Sequence, residues 1–144
     1  MKTLIAYYSY TGDTAKLARG LAEKRGCDLL EVKDATTRPG TAKAYTSGCL
    51  AAHKGKSWEI QPLALDLREY EHITIMAPVW AHKPAPQINS LLELLPAGKS
   101  VEVILVSASG KSNCKQMLED KIGARGCTML SLQDVNSKKT VQLD

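Results

Sequence analysis

The chain has 144 residues, with 19 Lys and Arg against 15 Asp and Glu, for a formal net charge of +4 at pH 7. That length suits a single domain over residues 1–144 with a core of its own. The charge is too mild to imply a nucleic-acid partner, and the basic residues do not cluster with aromatics. Cys27, Cys49, Cys114 and Cys127 are scattered, without a C-x-x-C pair or a histidine at ligand spacing, so no metal centre is indicated. Met1-Lys2 leads straight into an apolar run, with neither a signal peptide nor a membrane span, which fits a reducing cytoplasm.

Thr3-Leu4-Ile5-Ala6-Tyr7-Tyr8 is short, apolar and closed by turn-forming residues, the pattern of a buried strand. Leu17, Ala18, Leu21 and Ala22 then recur at helical spacing, and Gly26 stands where a helix C-cap belongs. Asp28 to Lys33 predicts a second strand whose polar ends suggest a sheet edge. Asp34 to Lys56 is harder to read. Arg38-Pro39-Gly40 marks a turn, a short helix could form around Leu50-Ala51-Ala52, and Gly55 and Pro62 argue for a long loop before Leu65. No acid lies between Asp34 and Glu59, while Arg38, Lys43, Lys54 and Lys56 do, which reads as a solvated face. His72 to Ala77 is a third strand, ended by Pro78. Pro86 opens a third helix with Ile88, Leu91, Leu92 and Leu95 on one face. Val101 to Val106 is the strongest strand, and a helix from about Asn113 to Arg125 follows. Cys127 to Leu132 is the fifth strand. Cys27 and Cys127 read as buried strand thiols. Cys114 falls at a helix start, where a thiolate is favoured, although burial would oppose it.

Alternation of strand and helix predicts an α/β, three-layer fold with a five-stranded parallel sheet of order 2-1-3-4-5. Ligands in such sheets bind beyond the carboxyl ends of the strands, where Ser9 to Thr14, Pro78 to Lys83 and Ser107 to Asn113 converge. Ser9-Tyr10-Thr11-Gly12-Asp13-Thr14 turns a strand into a helix start, aiming free N–H groups and the helix dipole at whatever occupies the turn. Gly12 lets the backbone come close, and Ser9, Thr11 and Thr14 add hydroxyls. This is a phosphate cradle without a cation, although an N-capped helix after an edge turn would read the same way. Trp80, between prolines, offers a rigid aromatic face or a plug for the open sheet end.

The Ser9–Thr14 turn resembles the phosphate loop of the flavodoxin family, Ser/Thr-x-Thr-Gly-Asn-Thr, with Asp13 in place of the usual Asn. Ala77-Pro78-Val79-Trp80-Ala81-His82-Lys83-Pro84-Ala85-Pro86 is similar to the Pro-Val-Trp-x-Gly-x-Pro-Ala-Pro stretch of a short flavodoxin subfamily, with His82 where Gly is usual. The resemblance spans roughly residues 2 to 133. It implies an FMN cofactor held by Ser9, Tyr10, Thr11, Gly12, Asp13 and Thr14 at the phosphate. Pro78, Val79, Trp80, Ala81, His82 and Lys83 would lie at the ring, and Ser107, Ala108, Ser109 and Gly110 at its pyrimidine edge. It also implies an electron carrier for redox partner proteins, with no catalytic residue and no metal. The alternative is an NAD(P)H-dependent flavin or quinone reductase of the same fold; a third possibility is a phosphate-binding regulatory domain without flavin. A histidine resists the positive φ that glycine accepts. Trp58, in the loop, is expected to lie away from the flavin. The family's fifth helix has no counterpart in the pattern after the last strand, so strands three to five should bare an apolar face that a homodimer would cover, with Val141 and Leu143 helping. The alternatives are a chain shortened relative to its relatives and a short tail that folds back over the face.

Overall fold

The apolar runs pair as the sequence predicts. The computed structural model describes residues 2–35, 42–139 and 142–144. In chain order the elements are β1 (Thr3–Tyr7), α1 (Asp13–Arg25), β2 (Asp28–Glu31), α2 (Ala42–His53), a 3-10 turn (Leu67–Glu69), β3 (His72–Trp80), β4 (Lys83–Pro84), α3 (Pro86–Glu93), β5 (Ser100–Ser107), α4 (Lys115–Ala124) and β6 (Thr128–Asn136). The sheet order is β2-β1-β3-β5-β6, with β4 paired to β3 off this path. The five long strands are all parallel. Counted without β4, this is the order 2-1-3-4-5. The expected turn at Arg38-Pro39-Gly40 and residue Val141 lie outside the described residues.

Each sheet face carries its own apolar cluster. On one side Ala15, Ala18, Leu21 and Ala22 of α1 meet Ile5, Tyr7, Met76 and Ile104. On the other, Ile88, Leu91 and Leu92 of α3 and Leu118 and Ile122 of α4 cover Ile73, Ile75, Val101, Val103 and Leu105. Alternation along β3 and β5 supplies both faces at once. The three alanines let α1 lie close to the sheet. Gly26, at φ 63, ends that helix: its N–H bonds to Glu23 O at 3.3 Å, and the Cys27 N–H to Ala22 O at 3.1 Å. This is the reciprocal cap that a left-handed glycine permits.

Two strands run further than their sequences suggest. β3 passes through Pro78, which pairs with Val106. Its last partner in β1 is opposite Met76, so Pro78 faces no β1 strand that would need its missing N–H. Its carbonyl instead accepts from the Ala85 N–H at 3.1 Å. β6 continues four residues beyond Leu132, pairing Gln133 to Asn136 with Ile104 to Ser107. Cys127 is buried just ahead of β6 and Cys27 is half-buried just ahead of β2, so neither lies within a strand.

Among the described residues no helix follows β6, yet the bare apolar face expected from its absence is not there. Met76 and Ile104 on that face are buried, and Leu143 packs against their cluster. Thr74 and Glu102 share the face and are polar. Arg25 reaches across to them, with its guanidinium 2.8 Å from Glu102 Oε1 and 3.2 Å from Thr74 Oγ1. Arg25 Nε also donates to the carbonyl of Asp144 at 2.9 Å, and Lys24 to that of Leu143 at 2.9 Å. An ion pair and a folded-back tail thus cover this part of the face, as the sequence alternative of a returning tail expects.

Burial alone would raise the Glu102 carboxyl, but hydrogen bonds from Arg25 and Thr74 outweigh it and hold the group below its ordinary value. A depressed carboxylate contributes stability that is present above the unfolded value, about 4.3, and lost as pH falls through the folded one. Glu102→Gln is therefore expected to cost about 1–2 kcal/mol near neutrality, given the partial exposure of the pair. Urea titrations at falling pH should show this difference vanish in acid.

Candidate functional site

At the carboxyl end of the sheet lies a cleft of about 380 Å³, lined by Tyr10, Thr11, Asp13, Thr14, Pro78, Val79, Trp80, Val106, Ser107, Ala108 and Ser137. Its size falls in the range of roughly 300–1,000 Å³ typical of small-molecule sites. It opens where the connection from β1 leaves by one face and those from β3 and β5 by the other, the switch point of an open α/β sheet.

One end of the cleft is polar. Gly12 precedes α1 with φ 103, a backbone region that glycine adopts without a Cβ penalty. Its N–H donates to Ser9 Oγ at 3.1 Å, which fixes the turn. The first intrahelical bond runs from the Lys16 N–H to Gly12 O at 3.0 Å. The N–H groups of Asp13, Thr14 and Ala15 precede it, as helix starts require. Thr14 is buried, 2% exposed, and lines the cleft. Thr11 donates its hydroxyl to Asp13 Oδ2 at 3.3 Å. Among the described residues that line the cleft none is Lys, Arg or His, and Asp13 is the one carboxylate.

The other end is apolar. Pro78, Val79 and Trp80 continue β3 past β1, and Val106 completes the wall from β5. Trp80 is only 4% exposed. Its ring meets Tyr10 edge-on at 5.3 Å, Tyr8 at 6.1 Å and Trp58 at 6.3 Å between centroids. The indole expected to stand open as an aromatic wall is thus embedded in a cluster and borders the cleft from within it. Trp58, expected to lie apart, is a neighbour of Trp80. Gly48 of α2 makes the packing possible: a Cβ there would overlap the Trp80 ring and come within 3.1 Å of Trp58.

Of the other residues singled out in the sequence, Ser9, Gly12, Ser109 and Gly110 support the lining loops without lining the cleft. Ser107 Oγ accepts from the Gly110 N–H at 3.0 Å, and Ser109 Oγ from the Lys111 N–H at 3.3 Å. Ala81, His82 and Lys83 are not among its lining residues. Ala81 at φ 50 and His82 at φ 68 form the two-residue link between β3 and β4. Both central residues at positive φ is the hairpin geometry that twist favours. So the histidine does take up the left-handed backbone it was expected to resist. Its carbonyl accepts from the Asn113 N–H at 2.8 Å.

Val106 and Ser137 line the cleft without having been singled out. The sequence pattern ends the last strand at Leu132, before Gln133 and Asp134, and so carries no signal for Ser137. Its N–H donates to Ser107 O at 2.8 Å. Cys114 caps α4 and is buried. Burial pushes its thiol up despite the Ser112 hydrogen bond, against the thiolate that a helix start would favour.

The match to known proteins agrees with this geometry. The family model described as flavodoxin matches residues 2–134. The chain belongs to the flavodoxin family. Among solved structures it is similar to a flavoprotein of Lactobacillus acidophilus, determined in complex with FMN, at 28% identity and a TM-score of 0.75, covering 91% of each chain. A flavoprotein of Bacteroides uniformis is 25% identical with a TM-score of 0.75, over 91% of this chain and 88% of that one. A flavodoxin of Megasphaera elsdenii shares the fold at 16% identity and a TM-score of 0.55, over 94% and 86%. No curated protein matches the chain. No helix among the described residues is long and apolar enough to cross a membrane.

Two substitutions test this geometry. Asp13→Asn removes the one carboxylate from a helix start and keeps the side-chain shape, so an anion there should bind about three- to tenfold more tightly. Isothermal titration with the isolated phosphate-bearing ligand reads the change. Gly48→Ala should displace Trp80 and cost about 1–3 kcal/mol through overpacking. A shift in tryptophan emission maximum with loss of melting temperature would report it.

Proposed function

We propose that this chain binds FMN in the cleft and serves as an electron carrier. The observation that carries the reading is the cleft's polarity. A hydroxyl-rich helix start faces one end, and an apolar wall of Pro78, Val79, Trp80 and Val106 lines the other, matching a molecule with an anionic end and an aromatic ring. The similar Lactobacillus protein binds FMN, which supports the same ligand here. FMN when bound supplies the redox chemistry. The α1 N–H groups and Thr14 would hold the phosphate, and the apolar wall would keep water from the ring. Ser107 and Ala108, which line the cleft, would serve its pyrimidine edge, with Ser109 and Gly110 shaping their loop. No side chain is asked to act as nucleophile or general acid. Redox partner proteins would dock at the cleft mouth. All four cysteines are free, as a reducing cytoplasm would leave them.

The phosphate contact gives the test. A hydrogen bond to a charged group is worth about 1.5–3 kcal/mol. FMN should therefore bind far more tightly than riboflavin, and Thr14→Ala should weaken FMN about tenfold or more while leaving riboflavin nearly unchanged. Equal affinities for the two flavins would overturn the reading.

The second reading, an NAD(P)H-dependent flavin or quinone reductase, is favoured by the formal charge of +4, because many carriers of this family are strongly acidic. Stopped-flow mixing of the FMN-loaded protein with NADPH separates the two. Rapid bleaching of the flavin would identify the reductase.

A further inference from the structure

Three segments beside the cleft are tied into one surface. They are the turn 81–83, the loop 107–115 and residues 136–139. The Asn113 N–H bonds to His82 O at 2.8 Å, and the Ser137 N–H to Ser107 O at 2.8 Å. The Lys83 ammonium donates to Asn113 O. Gly110 abuts Asn136 so closely that a Cβ would lie 3.1 Å from its side chain. Ser107, Ala108 and Ser137 of these segments also line the cleft, so the surface adjoins the site directly.

The charge of this surface has one sign. The segments contain Lys83, Lys111, Lys115, Lys138 and Lys139, with His82, and no Asp or Glu. Lys83 is engaged by Asn113, and Lys115 lies 4.0 Å from Glu119 within α4. Lys111, Lys138 and Lys139 are exposed and make no ion pair among the described residues. The nearby acids are Asp13 on the cleft wall, Asp134 toward the end of β6 and Glu119, the last two lining a depression beside Ser112 to Lys115. Unpaired lysines on a hydrogen-bonded frame create a positive potential that steers an opposite charge over a Debye length and orients it on arrival.

We infer that this rim is the docking surface for a partner protein whose own contact face is acidic, brought by charge to the edge of the bound cofactor. The inference builds on the FMN reading, but its test does not depend on it. Isotope-labelled protein, with and without FMN, is titrated with acidic cytochrome b5, basic cytochrome c or a short single-stranded DNA, and amide shifts are followed. Cytochrome b5 should move the amides of Lys111, Ser137, Lys138 and Lys139. Its affinity should drop about tenfold or more between about 20 and 300 mM salt, where the screening length shrinks from roughly 20 to 6 Å. The triple variant K111E/K138E/K139E should lose that binding and gain cytochrome c. The milder K111Q/K138Q/K139Q should weaken cytochrome b5 with an unchanged circular dichroism spectrum. Tighter binding of cytochrome c or DNA to the native protein overturns the inference, as does cytochrome b5 binding that ignores salt or shifts amides elsewhere. Failure to retain FMN while cytochrome b5 still docks at the rim would sink the cofactor reading alone.

Discussion

The unequal lengths of two neighbouring strands set up everything at the functional end. β1 stops at Tyr7, opposite Met76, while β3 continues to Trp80. Because α1 leaves β1 by one face and α3 leaves β3 by the other, no element among the described residues fills the step between them. The projecting end of β3 supplies the apolar wall, and the helix start supplies the polar floor. Pro78 is tolerated there because the strand has already outrun its neighbour, and the β4 hairpin satisfies its carbonyl.

Much of this could be read from residue patterns. Strands built from Ile, Val and Leu runs, helices with period 3.6 and a hydroxyl-rich turn all carry local signals. What escaped were features decided by contacts distant in sequence. The stretch after α2 has no periodicity of its own and is held by buried polar side chains of α3. Asn89 donates to Lys56 O at 2.9 Å and Ser90 to Trp58 O, while Gln87 reaches Asp34, ahead of α2, at 3.0 Å. In the sequence these three polar residues look like a solvated helix face. Trp58 follows from the same bonds, since they carry it against Trp80. Ser137 was missed because pairing with β5, rather than propensity, extends β6.

The packing around Trp80 also links the least regular part of the chain to the cleft. Gly48 from α2, Trp58 from the loop and Tyr10 from the helix-start turn all converge on one indole. Edge-on ring contacts of this kind favour one arrangement over many. The hairpin beyond Trp80 is held in turn by Asn113, so the position of the ring is defined from both sides of the site.

The face closed by Arg25, Glu102 and Thr74 has a thermodynamic consequence. A covering helix would bury additional apolar surface, and it is exposure of such surface that raises the heat capacity on unfolding. Charged and hydroxyl groups contribute with the opposite sign. A chain that seals a sheet in this way unfolds with a smaller heat-capacity increment for its size. Its free energy therefore changes less steeply on either side of its maximum, spreading moderate stability over a broader span of temperature.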